Sequence, residues 1–234
     1  MKVISNEKNL DVLYEDNHLI IINKRAGDIV QGDKTGDTPL SEIVKSYLKE
    51  KYHKPGEVFL GVVHRLDRPT TGIVVFAKTS KALSRLNTLF ANKTAVEKTY
   101  WTMTDNCPTE SEGTLVHWLT RNSEKNKSTA HSKEVKDSKK SILHYKVLEK
   151  LTNYYLLEIQ LITGRHHQIR AQLAAVDCFI KGDLKYGARR SNADGSIHLH
   201  ARKLSFIHPV KKEKIEIIAP LPDEPLWQKL TVIR

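Results

Sequence analysis

Two short apolar runs, Phe59-Leu60-Gly61-Val62-Val63 and Ile73-Val74-Val75-Phe76-Ala77, are separated only by His64-Arg65-Leu66-Asp67-Arg68-Pro69-Thr70-Thr71-Gly72. Short runs rich in β-branched residues and bounded by Pro and Gly read as buried strands. The connection is then a rigid turn, and it sets one carboxylate, Asp67, between two arginines. An anionic oxygen in a basic cleft can act as a nucleophile or general base, and such a cleft suits a polyanionic substrate. Taken alone, the same residues also describe a turn-capping Asp with solvated arginines.

Upstream, Val12-Leu13-Tyr14 and His18 through Lys24 flank a charged turn at Glu15-Asp16-Asn17 and predict a hairpin. Thr38-Pro39 reads as an N-cap with Pro in the first turn, opening a helix over roughly 39–52 with Leu40, Ile43, Val44, Tyr47 and Leu48 on one face. Thr79 or Ser80 caps a second helix carrying Ala82, Leu83, Leu86, Leu89 and Phe90 at helical spacing. Strands are expected at about 96–104 and 113–119. Alternating Leu143, Tyr145, Val147 and Tyr155, Leu157, Ile159, Leu161 predict two half-buried strands.

A helix follows over about His166–Val176, and closing strands fit His198–Phe206 and Lys214–Ile218. Strands outnumber helices in hairpin-like order, which argues α+β with a largely antiparallel sheet. Residues 121–140 carry seven basic and three acidic side chains and no apolar period, so they read as a mobile basic loop able to grip phosphates, or as a solvated surface loop.

The formal net charge of +11 over 234 residues calls for an anionic partner, and nucleic acid fits best. No apolar run reaches the length of a membrane span, and the start Met1-Lys2-Val3-Ile4-Ser5-Asn6 is not a signal peptide. A soluble, cytoplasmic protein is expected, with no membrane partner. The two cysteines, Cys107 and Cys178, form no Cys-x-x-Cys and no disulfide framework. His166-His167 and His198-x-His200 invite a metal, but no carboxylate or thiol at ligand spacing completes either pair, and no metal site is expected.

The His64–Gly72 segment closely resembles the HRLD-x-x-[TS]-[ST]-G block of the RluA-like pseudouridine synthases. Lys24-Arg25-Ala26-Gly27 resembles their Lys-Pro-x-Gly block without its Pro, and Lys98-Thr99-Tyr100 their Lys-x-Tyr block. Gly164-Arg165-His166-His167-Gln168-Ile169-Arg170 resembles Gly-Arg-x-His-Gln-Ile-Arg, with His166 where Thr is usual. Gly182-Asp183-Leu184-Lys185-Tyr186-Gly187 and Leu199-His200-Ala201 look like two further blocks, so the resemblance spans roughly residues 11–218.

The resemblance implies a single catalytic domain, a largely antiparallel mixed central sheet flanked by helices and loops, over 11–234 after an N-terminal extension of 1–10. It implies an RNA uridine isomerase acting on ribosomal or transfer RNA without metal or organic cofactor. Asp67 is then the catalytic carboxylate, Arg165 its partner, and Tyr100 the group against the uracil. A phenol of ordinary acidity is mostly protonated at neutral pH, so Tyr100 as a base demands a tuned environment. Arg65 is placed to fill the space left by a flipped uridine.

Candidate RNA contacts also include His64, Arg68, His167, Gln168 and Arg170, with Lys125 and Lys127 in the basic loop. His64 also reads as a satisfied histidine beside the core, and Gln168 as a residue that orients its neighbours. With only 1–10 before the first strand, RNA affinity must come from the catalytic domain itself. A monomer is expected. Two other readings stay open: a catalytically silent RNA-binding protein, and an RNA base glycosidase or nuclease.

Overall fold

The computed structural model describes residues 4–92 and 94–232. Its strands and helices, in chain order, are β1 (Val12–Glu15), β2 (Leu19–Lys24), α1 (Leu40–Lys51), β3 (Gly61–Val62), β4 (Thr71–Ala77), α2 (Ser80–Ala91), β5 (Val96–Thr104), β6 (Glu112–Asn122), β7 (Lys127–His131), β8 (Lys139–Lys150), β9 (Tyr155–Leu161), α3 (Gln168–Ala174), β10 (Leu199–Ile207) and β11 (Lys214–Ile218). The α+β reading holds. Two compact units form, one from 1–96 with 201–220 and the other from 97–200 with 221–234. Residues 1–3 of the expected extension, and the opening of the sequence with them, lie outside the described residues. No helix among the described residues is long and apolar enough to cross a membrane.

In the first unit, β2 pairs antiparallel with β1 and β4, and β10 pairs antiparallel with β11. Both β2 and β4 are buried nearly throughout, so their sequences run apolar rather than alternating. Leu40, Val44 and Leu48 of α1 pack on Ile20, Ile22, Val74 and Phe76. The helix starts one residue later than expected: Pro39 is the N-cap, without a side-chain bond. Its first N–H groups are satisfied by backbone instead, Leu40 donating to the Ile29 carbonyl and Ser41 to that of Val30. The Thr79 hydroxyl caps α2 as expected, accepting from Ala82 N–H at 3.2 Å.

The run Phe59–Val63 is not the buried strand its composition predicts. Only Gly61 and Val62 pair with β4, and Phe59 is 46% exposed. A side chain takes over where the strand stops: Val75 N–H donates to His64 Nε2 at 3.1 Å. The imidazole, stacked on Phe90 at 5.0 Å, thus continues the ladder that β3 abandons.

In the second unit the order is β5-β9-β8-β6-β7, with the described pairings antiparallel. The basic stretch 121–140 is not a loop. β6 and β7 form a hairpin in register from Trp118↔His131 to Asn122↔Lys127, turning over 123–126, and β8 begins at Lys139. Polar residues on both faces of this arm hid its period. The available sign was turn chemistry, since Asn122 Oδ1 accepts Lys125 N–H and Asn126 takes a left-handed conformation. α3 starts later than expected because His167, at φ 51°, breaks the helical path just before Gln168, and it ends at Ala174.

Candidate active site

Asp67 opens a turn closed by Thr70 N–H on the Asp67 carbonyl, and Leu66 before it packs against the α1–β2–β4 core. Beneath the turn lies Lys24, only 1% exposed. Its ammonium donates to the carbonyls of Thr70 (2.7 Å), Arg25 (2.9 Å) and Arg68 (3.1 Å). Gly27 N–H adds a bond to the Arg68 carbonyl at 3.0 Å. The turn is therefore stitched to Lys24-Arg25-Ala26-Gly27, and the missing Pro costs it no anchorage. Burial pulls the Lys24 ammonium down to about 7, with the charges of Asp28 and Asp67 partly opposing.

Gly72 closes the segment at φ 107°, and a Cβ there would run into the backbone of Ala201, whose nitrogen would lie 2.7 Å away. Arg68, half-buried, pairs with Asp37 at 2.6 Å, whereas Arg65 is exposed. Of the arginines beside Asp67, Arg65 thus presents its side chain to solvent. His64 is fixed in the ladder and against Phe90, which places it in the scaffold of the turn.

In the second unit, Tyr100 sits on β5 opposite Ile159, 9% exposed. Lys98, two residues earlier, shares its side of the strand. Burial lowers the Lys98 ammonium from its ordinary value. Arg165 is exposed and precedes α3. Gln168 is buried and fully committed: its Oε1 accepts from Thr163 Oγ1 (2.8 Å) and Arg165 N–H (3.0 Å), and its amide donates to the Ile142 carbonyl and Gln172 Oε1. It fixes the backbone that carries Arg165, the orienting role its sequence position suggested.

Arg170 is likewise buried, forming a two-pronged pair with Asp183, Nε to Oδ2 at 2.7 Å and Nη2 to Oδ1 at 2.8 Å. Its guanidinium also lies over the Tyr186 ring at 4.9 Å, so it braces the interior. His167 is buried with Nδ1 3.0 Å from the Tyr186 hydroxyl. Lys125 and Lys127 are exposed at the hairpin tip, Lys127 over the face of Tyr186 at 5.2 Å.

Lys24, Asp183 and Tyr186 were thus undervalued by sequence reasoning. Each stands inside a recognisable block, but only the fold reveals what it holds. What the parts can do chemically is definite. The first unit presents a carboxylate on a rigid turn; the second presents a buried phenol beside a lysine, and an arginine whose backbone is pinned by Gln168.

Residues 18–175 match the sequence profile of the family described as RNA pseudouridylate synthase. An RNA pseudouridine synthase of Synechocystis sp. is 36% identical over 99% of this chain and 71% of its own length. The ribosomal large subunit pseudouridine synthase C of Vibrio cholerae is 32% identical over 95% of this chain and 69% of its own. Among solved structures, human RNA Pseudouridylate Synthase Domain Containing 4 superposes with a TM-score of 0.77 at 26% identity, covering 91% of this chain and 89% of that one.

Proposed function

The chain belongs to the RNA pseudouridylate synthase family, and from that premise we propose that it isomerises uridine in large-subunit ribosomal RNA with Asp67 as the essential carboxylate. The observation that carries the role of Asp67 is the anchorage of its turn, held from below by the buried Lys24 ammonium and Gly27 N–H. Ribosomal RNA is favoured over transfer RNA because several relatives bear the name of ribosomal large subunit synthases.

Isomerisation breaks the N1–C1′ bond, turns the uracil and joins C5 to C1′; C5 gives up a proton and N1 gains one. One carboxylate suffices because no water is activated, unlike glycoside hydrolysis with its two. Asp67 begins the reaction either by covalent attack on sugar or base, or by removing a sugar proton to give a glycal. Both routes need an ionised oxygen held still. The cation for this step is assigned to Arg165, and the group that faces the uracil and takes the C5 proton to Tyr100. A uridine inside a stem cannot reach a carboxylate held on the protein turn, so it flips out, and Arg65 fills the vacancy. Lys125 and Lys127 bind phosphate.

The test compares pseudouridine maps, by carbodiimide labelling and primer extension, of RNA from cells lacking this gene and cells restored with intact protein or Asp67→Asn. A ribosomal pseudouridine lost with the gene and restored only by intact protein supports the proposal. Restoration by Asp67→Asn refutes the role of Asp67, and a loss confined to transfer RNA refutes the substrate.

A further inference from the structure

His166 stands between the hairpin tip and the turn that carries Arg165, and both of its ring nitrogens are engaged. Nδ1 lies 2.9 Å from Ser128 Oγ and Nε2 lies 3.0 Å from Asn126 Oδ1. Ser128 Oγ also lies 2.7 Å from the His166 carbonyl, to which it donates its single hydrogen. The ring thus bridges Ser128 and Asn126 from its two nitrogens.

The surroundings of the ring are specific. His167 stacks on it at 3.7 Å between centroids, and the Tyr186 hydroxyl joins His167 Nδ1 to Ser128 N–H at 3.0 and 2.8 Å. Lys185 Nζ donates to the Asn126 carbonyl at 3.2 Å. Around the clasp lie Lys127 over Tyr186, Lys185 on the tip backbone, Arg170 over Tyr186 and paired with Asp183, Arg165 next in sequence, and Glu124 in the hairpin turn.

We propose that His166 is a positioning residue that clasps the Lys125–Lys127 tip of the β6–β7 hairpin to the Arg165 turn, so that phosphate grip and the catalytic arginine are set as one piece. This inference rests on the proposed function for its purpose, but its geometry stands without it. A Thr at this position, as in the related sequence pattern, reaches too short a distance to span Asn126 and Ser128 together.

The test needs no known RNA target. Hydrogen exchange of the 123–131 amides is measured on the full chain, corrected for the intrinsic rate, with His166→Thr, Asn126→Ala and Ser128→Ala beside it. Affinity for a fluorescein-labelled 20-nucleotide single-stranded RNA is recorded in parallel over a range of salt concentrations. The clasp predicts about tenfold lower tip protection in His166→Thr. It also predicts RNA affinity that falls with protection and a flatter salt dependence in the variant. Asn126→Ala and Ser128→Ala reach the same contact from the hairpin side if His166→Thr fails to fold. Native tip protection and a native salt slope in the variants overturn the clasp. If protection depends on His166 yet the native protein forms no pseudouridine, the clasp stands and the proposed function fails.

Discussion

Lys24 Nζ lies 2.7 Å from the carbonyl oxygen of Thr70, 46 residues away, and that single contact ties the end of β2 to the far side of the Asp67 turn. Two further carbonyls share the ammonium. A buried ammonium is tolerated only with such partners.

Replacing Lys24 by Met removes the donor common to three carbonyls, one of them in a fully buried bond. The expected cost is roughly 2 kcal/mol or more of stability, read from denaturant midpoints. The turn then shifts, and a displacement on the order of 1 Å at a reacting group can cost about 100-fold in rate. Pseudouridine formation should fall by about that factor while RNA affinity, set elsewhere, holds. Native turnover by Lys24→Met would separate the turn from its anchor.

Gly72→Ala places a Cβ against the Ala201 backbone at a φ of 107°. Both the clash and the left-handed backbone oppose it, so a loss of at least about 2 kcal/mol is expected in chemical unfolding. A variant as stable as the parent would mean that the strand end relaxes freely.

Arg170→Met or Asp183→Leu alone leaves one buried charge uncompensated, which costs about 3–5 kcal/mol. The double variant should recover most of that loss, because replacing a buried pair with apolar groups is often near neutral. Guanidinium melts of the four proteins make the comparison, and additive losses would contradict it.

Glu15 receives hydrogen bonds from Lys51 (2.7 Å), Lys78 (2.8 Å) and Tyr52 (2.7 Å). Burial alone would raise its carboxyl, but those bonds outweigh it and hold the group at about 2. A depressed carboxyl binds protons less readily folded than unfolded, so its stabilisation is complete above about 4.5 and vanishes as pH falls through about 2. The native protein should therefore exceed Glu15→Gln by on the order of 2 kcal/mol at pH 7, and the difference should vanish below about pH 2. Thermal unfolding across that range checks the sign.

The parts legible in sequence are those with local causes. Helical spacing marked α1 and α2, and the Thr79 cap was found by its side chain. The apolar run Ile73–Ala77 marked β4, and the blocks around Asp67, Tyr100 and Arg165 marked the family. Where causes were distant, the reading failed. The basic arm 121–140 was taken for a loop because its strands bury little; Ser128 becomes buried only when Tyr186 and His166 arrive from elsewhere in the chain. The Phe59–Val63 run looked like a strand because its composition cannot show that an imidazole completes the ladder.

Sequence by itself therefore determined the reaction class, since residue types at fixed spacing carry chemistry along the chain. It also determined the strands and helices whose periodicity is set within a few residues. Tertiary structure decided which polar groups are braces and which face solvent. Gln168 and Arg170, read as RNA contacts, are buried partners of Thr163 and Asp183, whereas Arg65 stays exposed. The physical reason is that a buried polar group must find its partner inside the fold, and the identity of that partner is a property of folding the whole chain.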